Sequence, residues 1–402
     1  MLSVAAAERL IFGLVKPLEE QETVALTEGL DRILAVPVVS DRNFPYWDNS
    51  AMDGYALRAK DVGKYDSLEI VGEIPAGTSP AFELAAGQAA RIFTGAMLPE
   101  GADAIAMQED TVREGNRVKF LGAVKPGQFV RRQGAFYQAG QPLIPAGIRI
   151  SPADLAVLAT AQCTQLPVLR RPRVAIFSTG DELITPEETL QPGQIIDSNS
   201  YALSSFVKSL GCIPLPLGIV RDEPGGLRST IQSAIANADV VLSTGGVSVG
   251  EYDFVDQTLA ELGGEIHIRK VAIKPGKPLT VATFKNRCLY FGIPGNPVSA
   301  LVSCWRFVGP ALNKLAGLRA QWEPRFIQAK TKQELRAGGQ RETYLWGQLS
   351  WEQGLPTFSL AGGAHNSGNL MNLSQTTGLA VVPVGETVIP ADSLISVLWV
   401  ED

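Results

Sequence analysis

The sequence predicts a multidomain α/β plus β protein, with a central parallel α/β sheet domain flanked by β-rich domains. Three observations carry this. At 402 residues the chain has room for two to four domains. Between residues 171 and 318 apolar extended runs alternate with helical periodicities, the pattern of βαβ units around a parallel sheet. On either side, short β-type runs are broken by turns, and 40 Gly and 26 Pro supply them.

Four parts follow along the chain. Residues 1–44 together with 141–170 read as an elongated helical and linker domain. Val4, Ala7, Ile11, Leu14 and Val15 recur at helical spacing behind Ser3, which suits an N-cap. A second helix opens at Ser151-Pro152-Ala153-Asp154, with proline in the first turn. Residues 45–140 read as β-rich, with runs at 67–71, 89–93, 104–108 and 117–120. In 171–318 strands are expected at 173–178, 213–219, 239–243, 266–273 and 288–292. Helices are expected at 199–210, 227–236, 254–262 and 297–307. Residues 319–402 return to short strands and form a β-rich C-terminal domain.

Composition excludes several classes. The formal net charge is −6, which argues against a general nucleic-acid binder, whose affinity needs a large basic surface. Cys163, Cys212, Cys288 and Cys304 form no C-x-x-C pair, so a zinc ribbon and a thioredoxin-like site are not expected. Reduced, buried thiols fit a cytoplasmic protein. Two histidines, His267 and His365, leave little for histidine-based metal or triad chemistry. No uncharged apolar run reaches 18 residues, so no membrane helix is expected. The first 16 residues carry Glu8 and Arg9 and lack a basic leader, unlike a signal peptide.

In a parallel α/β sheet, ligands sit beyond the carboxyl ends of strands, and the Gly-rich segments fall there. Residues 178–183 (Ser-Thr-Gly-Asp-Glu-Leu) and 243–253 (Ser-Thr-Gly-Gly-Val-Ser-Val-Gly-Glu-Tyr-Asp) follow apolar strands. Glycine lets backbone amides approach an anion, and the carboxylates suit a metal beside a phosphate. Neither is a Walker or G-x-G-x-x-G motif, and plain strand-end turns have the same composition. Residues 270–278 place Lys270, Lys274 and Lys277 around a Pro-Gly bend, which can aim two ammonium groups at one oxyanion or simply solvate a turn. Residues 292–299 pair a Gly/Pro loop with Ser299 at a helix start. In the β-rich half, 48–56 holds Asp48 and Asp53 before Gly54, a pattern that Asx-turn chemistry also explains. Thr94-Gly95-Ala96 follows a strand.

These elements, in this order, resemble the MoeA family of molybdopterin molybdotransferases, which includes the E domain of gephyrin. The matching runs are 48–56, 91–96, 178–183, 243–253, 272–278 and 292–300, and the likeness spans residues 1 to 402. The resemblance implies a MogA-like central domain in an elongated four-domain protomer, and a homodimer whose sites are lined by both subunits. The implied chemistry is insertion of molybdate into adenylylated molybdopterin with release of AMP, assisted by Mg2+. Implied partners are a MogA-type adenylyltransferase and apo molybdoenzymes. Carried over by motif, Lys274, Lys277, Ser299, Arg341 and Ser367 would form the molybdate pocket. Thr179, Gly180, Gly245, Gly246, Ser248, Gly250, Pro294, Gly295 and Asn296 would bind the pterin adenylate. Asp253 and Glu182 would hold the metal, with Asp222 beside them, Lys270 on phosphate, and Lys274 central to the chemistry. Asp53 and Thr94 would reach the site from the opposite subunit.

One segment departs from the family pattern. Where the family reads Gly-Glu-Asp after Arg-Arg-x, this chain has Gly134-Ala135-Phe136. An acid pair regarded as functional is lost and an aromatic ring takes its place. Two further readings therefore stand beside the transferase. One is a non-catalytic molybdopterin carrier; the other is a nucleotide-processing enzyme built on the central domain.

Overall fold

The computed structural model describes residues 1–221, 223–245 and 254–400. The chain divides into two compact units, Met1–Val36 with Gly147–Ala156 and Cys163–Asp402, and Pro37–Ala146 with Val157–Gln162.

The smaller unit is built on β1 (Gly54–Leu57), β2 (Leu68–Ile74), β3 (Gln88–Ile92), β4 (Ala104–Met107), β5 (Thr111–Glu114) and β6 (Arg117–Phe120). They form one sheet in the order β4-β1-β3-β2-β6-β5, antiparallel except for β2 beside β3. Neighbouring residues alternate between two apolar clusters. Ala56, Ala90, Ile92 and Ile105 pack on one side, and Tyr55, Leu57, Ala89 and Ala106 on the other, as a two-residue period requires.

The larger unit opens with α1 (Val4–Leu14), capped where Ser3 Oγ accepts from Ala6 N at 3.2 Å. Its buried stripe is Val4, Ala7, Ile11 and Phe12. Ser151 and Asp154 exchange hydrogen bonds at the start of α2 (Pro152–Thr160). The central sheet contains β7 (Arg173–Thr179), β8 (Ile213–Val220), β9 (Val240–Thr244), β10 (Glu265–Lys270), β12 (Pro278–Thr283) and β13 (Leu289–Ile293). The short β11 (Ile273–Lys274) leaves it. The helices are α3 (Asn199–Ser209), α4 (Pro224–Asn237), α5 (Phe254–Glu261), α6 (Pro297–Ser303) and α7 (Gly309–Leu315).

Sheet order is β8-β7-β9-β13-β12-β10. The first four strands are parallel, as expected. The sheet as a whole is mixed, because β12 runs antiparallel to both neighbours. The turn closed by Phe284 N on Cys288 O (3.1 Å) is too short for a parallel crossover. The strand expected at 266–273 also divides: β10 stops at Lys270, and β11 joins another sheet. The helix expected at 297–307 is interrupted by a π-helical turn, Cys304–Val308.

Strands of the central sheet are apolar on both faces, the mark of a covered sheet. Ala175, Phe177, Val241 and Tyr290 pack against Leu227, Ile231 and Leu259 of α4 and α5. Val174, Ile176, Leu242 and Phe291 belong to a larger core with α1, α3, α6 and α7. That core continues into the C-terminal sheet through Tyr344, Trp346, Leu379 and Leu398.

The C-terminal sheet contains β14 (Phe326–Thr331), β15 (Glu342–Glu352), β16 (Leu355–Leu360), β17 (Gly378–Val382) and β18 (Leu394–Trp399). Its order is β11-β15-β16-β14-β18-β17, and β17 pairs back onto β15. Five strands thus close into a small barrel around Leu345, Phe358, Ala380 and Val397.

Candidate functional site

Two chain segments meet where β11 pairs with β15. Ile273 and Lys274 lie in parallel register with Glu342 and Thr343, and Arg341 Nη1 donates to Ile273 O at 3.1 Å. The loop from β10 to β12 folds on itself, with Val271 N donating to Lys277 O at 3.0 Å. At its apex Gly276 has φ 107, a region that favours glycine. A Cβ there would stand 3.1 Å from Ser303 Oγ, which itself donates to Ser299 O at 2.8 Å. The lysine loop is therefore seated on α6.

A cavity of about 420 Å³ opens at this junction. Lys274, Lys277, Ser299, Arg341 and Ser367 all line it, as does Arg336. Pro294, Tyr344, Trp346 and His365 form apolar and aromatic wall, and Asn296 donates from Nδ2 to Ser367 Oγ at 3.2 Å. Four cationic side chains thus line a cavity in which, among the described residues, no carboxylate takes part. Arg336 is partnered by Glu334 at 2.6 Å. Such an array of ammonium, guanidinium and hydroxyl donors suits a small, multiply charged oxyanion.

Beside it, three strand ends converge. Gly245, with φ 84, follows β9 so closely on β7 that a Cβ would fall 2.2 Å from Thr179 O. A Cβ on Gly295 would lie 3.4 Å from Gly245 Cα, and Asn199 Nδ2 holds Gly295 O at 2.7 Å. Under this ledge Ser178 Oγ donates to the buried Asp197 carboxylate (3.0 Å) and lies 2.9 Å from Thr244 Oγ1. Ser200 Oγ donates to the other Asp197 oxygen at 2.5 Å. Among the described residues Thr179 Oγ1, which is buried, has no hydrogen-bond partner, a cost that a ligand would relieve. Glu182 is exposed, and its carboxylate lies over Gly180, 2.7 Å from where a Cβ would be.

The remaining predicted residues are placed as follows. Lys270 is exposed at the end of β10 and is not part of the cavity wall; its carbonyl accepts from Leu2 N at 3.1 Å. Asp222, Gly246, Ser248, Gly250 and Asp253 lie outside the described residues. Among the described residues no group of three or more His, Cys, Asp or Glu is placed to hold a metal ion. In the smaller unit, Asp53 Oδ1 accepts from Thr94 N (2.7 Å) and Thr94 Oγ1 (2.8 Å). These two bonds, the backbone one foremost, together with Arg91 nearby, hold the Asp53 carboxyl below its usual pKa. Phe136 is 75% exposed and Ala135 is exposed beside it. Their loop is fixed by backbone, Phe136 N donating to Phe44 O at 2.8 Å.

Sequence reasoning missed Arg336, Trp346 and His365, although each lies within five residues of Arg341 or Ser367, which it named; none carries a local motif, and the fold of the C-terminal part brings them to the lysine loop.

Family models match nearly the whole chain. They are the MoeA N-terminal region (domain I and II) at 2–161, a probable molybdopterin binding domain at 175–314, and the MoeA C-terminal region (domain IV) at 328–398. A molybdopterin molybdenumtransferase of Nostoc sp. is 55% identical, over 99% of this chain and 94% of its own length. One of Haemophilus influenzae is 38% identical, over 80% of this chain and 79% of its own. A solved molybdopterin biosynthesis MoeA protein of Pyrococcus horikosii is 30% identical, with TM-score 0.84 over 99% of both chains.

Proposed function

The chain belongs to the MoeA family of molybdopterin molybdenumtransferases, and we propose that, as an enzyme of that family, it inserts molybdate into adenylylated molybdopterin and releases AMP. One observation carries the reading. The cationic cavity and the strand-end ledge share the segment 294–296, with Pro294 and Asn296 on the cavity wall and Gly295 against Gly245. An oxyanion and a phosphorylated ligand would therefore sit side by side, which is what joining molybdate to a pterin adenylate requires.

In this reading Lys274, Lys277, Ser299, Arg341 and Ser367 hold molybdate, with Arg336 at the rim. A tetrahedral dianion gains from convergent charged donors. Thr179, Gly180, Gly245 and Gly295 cradle the adenylate, where the free Thr179 hydroxyl finds its partner. Mg2+ fits this ledge as an ion held by few protein carboxylates plus substrate phosphates and water. Glu182 would hold it, with Asp253 and Asp222 as the further family candidates, and the ion would offset phosphoanhydride charge. A homodimer belongs to the same reading, with Asp53 and Thr94 of the partner subunit assigned to the reaction. So do a MogA-type adenylyltransferase as supplier and apo molybdoenzymes as recipients. The buried thiols of Cys212, Cys288 and Cys304 suit a reducing, cytoplasmic setting. Among the described residues no helix is long and apolar enough to cross a membrane.

The test is a defined reaction of purified protein, adenylylated molybdopterin, molybdate and Mg2+. We expect AMP release that depends on molybdate, together with reconstitution of an apo molybdoenzyme. Binding of the adenylate with no AMP release would replace the transferase by the carrier. Consumption of ATP with molybdopterin would favour the nucleotide-processing reading.

A further inference from the structure

We infer that Arg306, which does not line the oxyanion cavity, is a positioning residue for it, acting through Tyr344 and Glu342 on the β11–β15 ladder. This rests on the molybdate reading of that cavity and extends it to its support.

Arg306 sits in the π-helical turn that interrupts the α6–α7 run, and such turns cluster at functional sites. It is 5% exposed, with its guanidinium near the rings of Phe307 and Phe326. Nη2 donates to Glu8 Oε2 of α1 at 2.5 Å, and Nε donates to Tyr344 Oη at 2.9 Å. Tyr344 Oη in turn donates to Glu342 Oε1 at 2.6 Å. The direction of the chain is fixed, because guanidinium can only donate and an ionised carboxylate only accept. The Tyr344 hydroxyl hydrogen is thereby committed to Glu342, so Tyr344 offers the cavity its ring as wall and no donor.

Glu342 and Thr343 pair with Ile273 and Lys274, and Arg341, adjacent to Glu342, holds Ile273 O. Arg306 therefore clamps the strand segment that sets Lys274 against Arg341. Burial, foremost, raises the Tyr344 hydroxyl pKa further above its ordinary value, in keeping with its place as donor to Glu342.

The test compares Arg306→Met, Arg306→Lys, Tyr344→Phe and the double variant Glu8→Gln/Arg306→Met in the full chain. Readouts are thermal midpoint, calorimetric binding of molybdate, and the split between KM for molybdate and kcat. Arg306→Met leaves Glu8 without its partner and is expected to lower the midpoint. The double variant removes both charges and should recover it. Molybdate binding should nonetheless weaken about tenfold or more in both, the scale at which supports of ligand-holding groups act. KM should rise more than kcat falls. Tyr344→Phe should follow them, and Arg306→Lys should recover part of the loss. Recovery of both midpoint and binding in the double variant, or unchanged binding in Tyr344→Phe, would overturn the inference and reduce Arg306 to a structural role. If the unaltered protein binds no molybdate, the cavity reading itself fails and the inference falls with it.

Discussion

Lys274 and Lys277 bring two positive charges to one small cavity, where a bound oxyanion gains from both. Lys274→Ala should therefore abolish molybdate binding while changing stability by no more than about 0.5 kcal/mol, since the side chain is exposed. Calorimetry beside a thermal melt checks both halves. Gly245→Ala should behave oppositely. The backbone at φ 84 and the 2.2 Å approach to Thr179 O leave no room for a methyl group, and strain of at least about 1–3 kcal/mol should appear in the melt. Cys212 and Cys288 are buried and do not line the cavity. Loss of solvation pushes Cys212 and Cys288 up to about 12, so the native protein should leave both unalkylated at pH 8, as peptide mapping would show. Chemistry was legible in the sequence where charge was dense and local, as at Lys274-Pro275-Gly276-Lys277. It was not legible at Arg336 or His365, which carry no local motif and reach the cavity only through the fold of the C-terminal part.

At the scale of elements, the parallel strands were legible because burial on both faces leaves near-continuous apolar runs, as in β7 and β9. β12 was not, because Leu279 to Thr283 follow directly on a Pro-Gly-Lys-Pro bend and read as its continuation. The starts of the strands are tied by one carboxylate. Asp239 accepts from Arg170 through both oxygens at 2.7 Å and from Arg173 N at 2.8 Å. Burial pulls the Asp239 pKa up, but the Arg170 fork and the Arg173 amide outweigh it and hold the carboxyl below its ordinary 3.8. A depressed carboxyl stabilises the fold at pH above its unfolded value and loses that contribution as pH falls through the folded one. Asp239→Asn should thus cost about 1–2 kcal/mol near neutrality, and its deficit should shrink as the pH falls below 3.8. Chemical denaturation across pH 2 to 7 reads the difference; a deficit independent of pH would assign the effect to packing.

Across the whole molecule, α1 and the C-terminal barrel share one core with the central sheet. Glu8 reaches Arg306 across most of the chain's length, which no local pattern announces. The segment expected to depart from the family pattern, Gly134-Ala135-Phe136, lies in the smaller unit, and its physics is simple. Phe136 and Ala135 are exposed, and their own hydrogen bonds are backbone ones; just before them the Asp48 carboxylate accepts from Arg132 Nη1 at 2.6 Å and from Gln133 N at 2.7 Å. Replacing both by the acids of the family pattern buries nothing and breaks no hydrogen bond of theirs that uses a side chain. Ala135→Glu/Phe136→Asp should therefore shift stability by no more than about 0.5 kcal/mol, so any change in turnover reports function. If the unaltered chain is already a competent transferase, restoring the acids should leave molybdate affinity unchanged and alter AMP release by less than about tenfold, or 1.4 kcal/mol of barrier. If AMP release instead arises only in the restored variant, the acid pair is part of the chemistry and the natural chain delivers its pterin without completing the transfer.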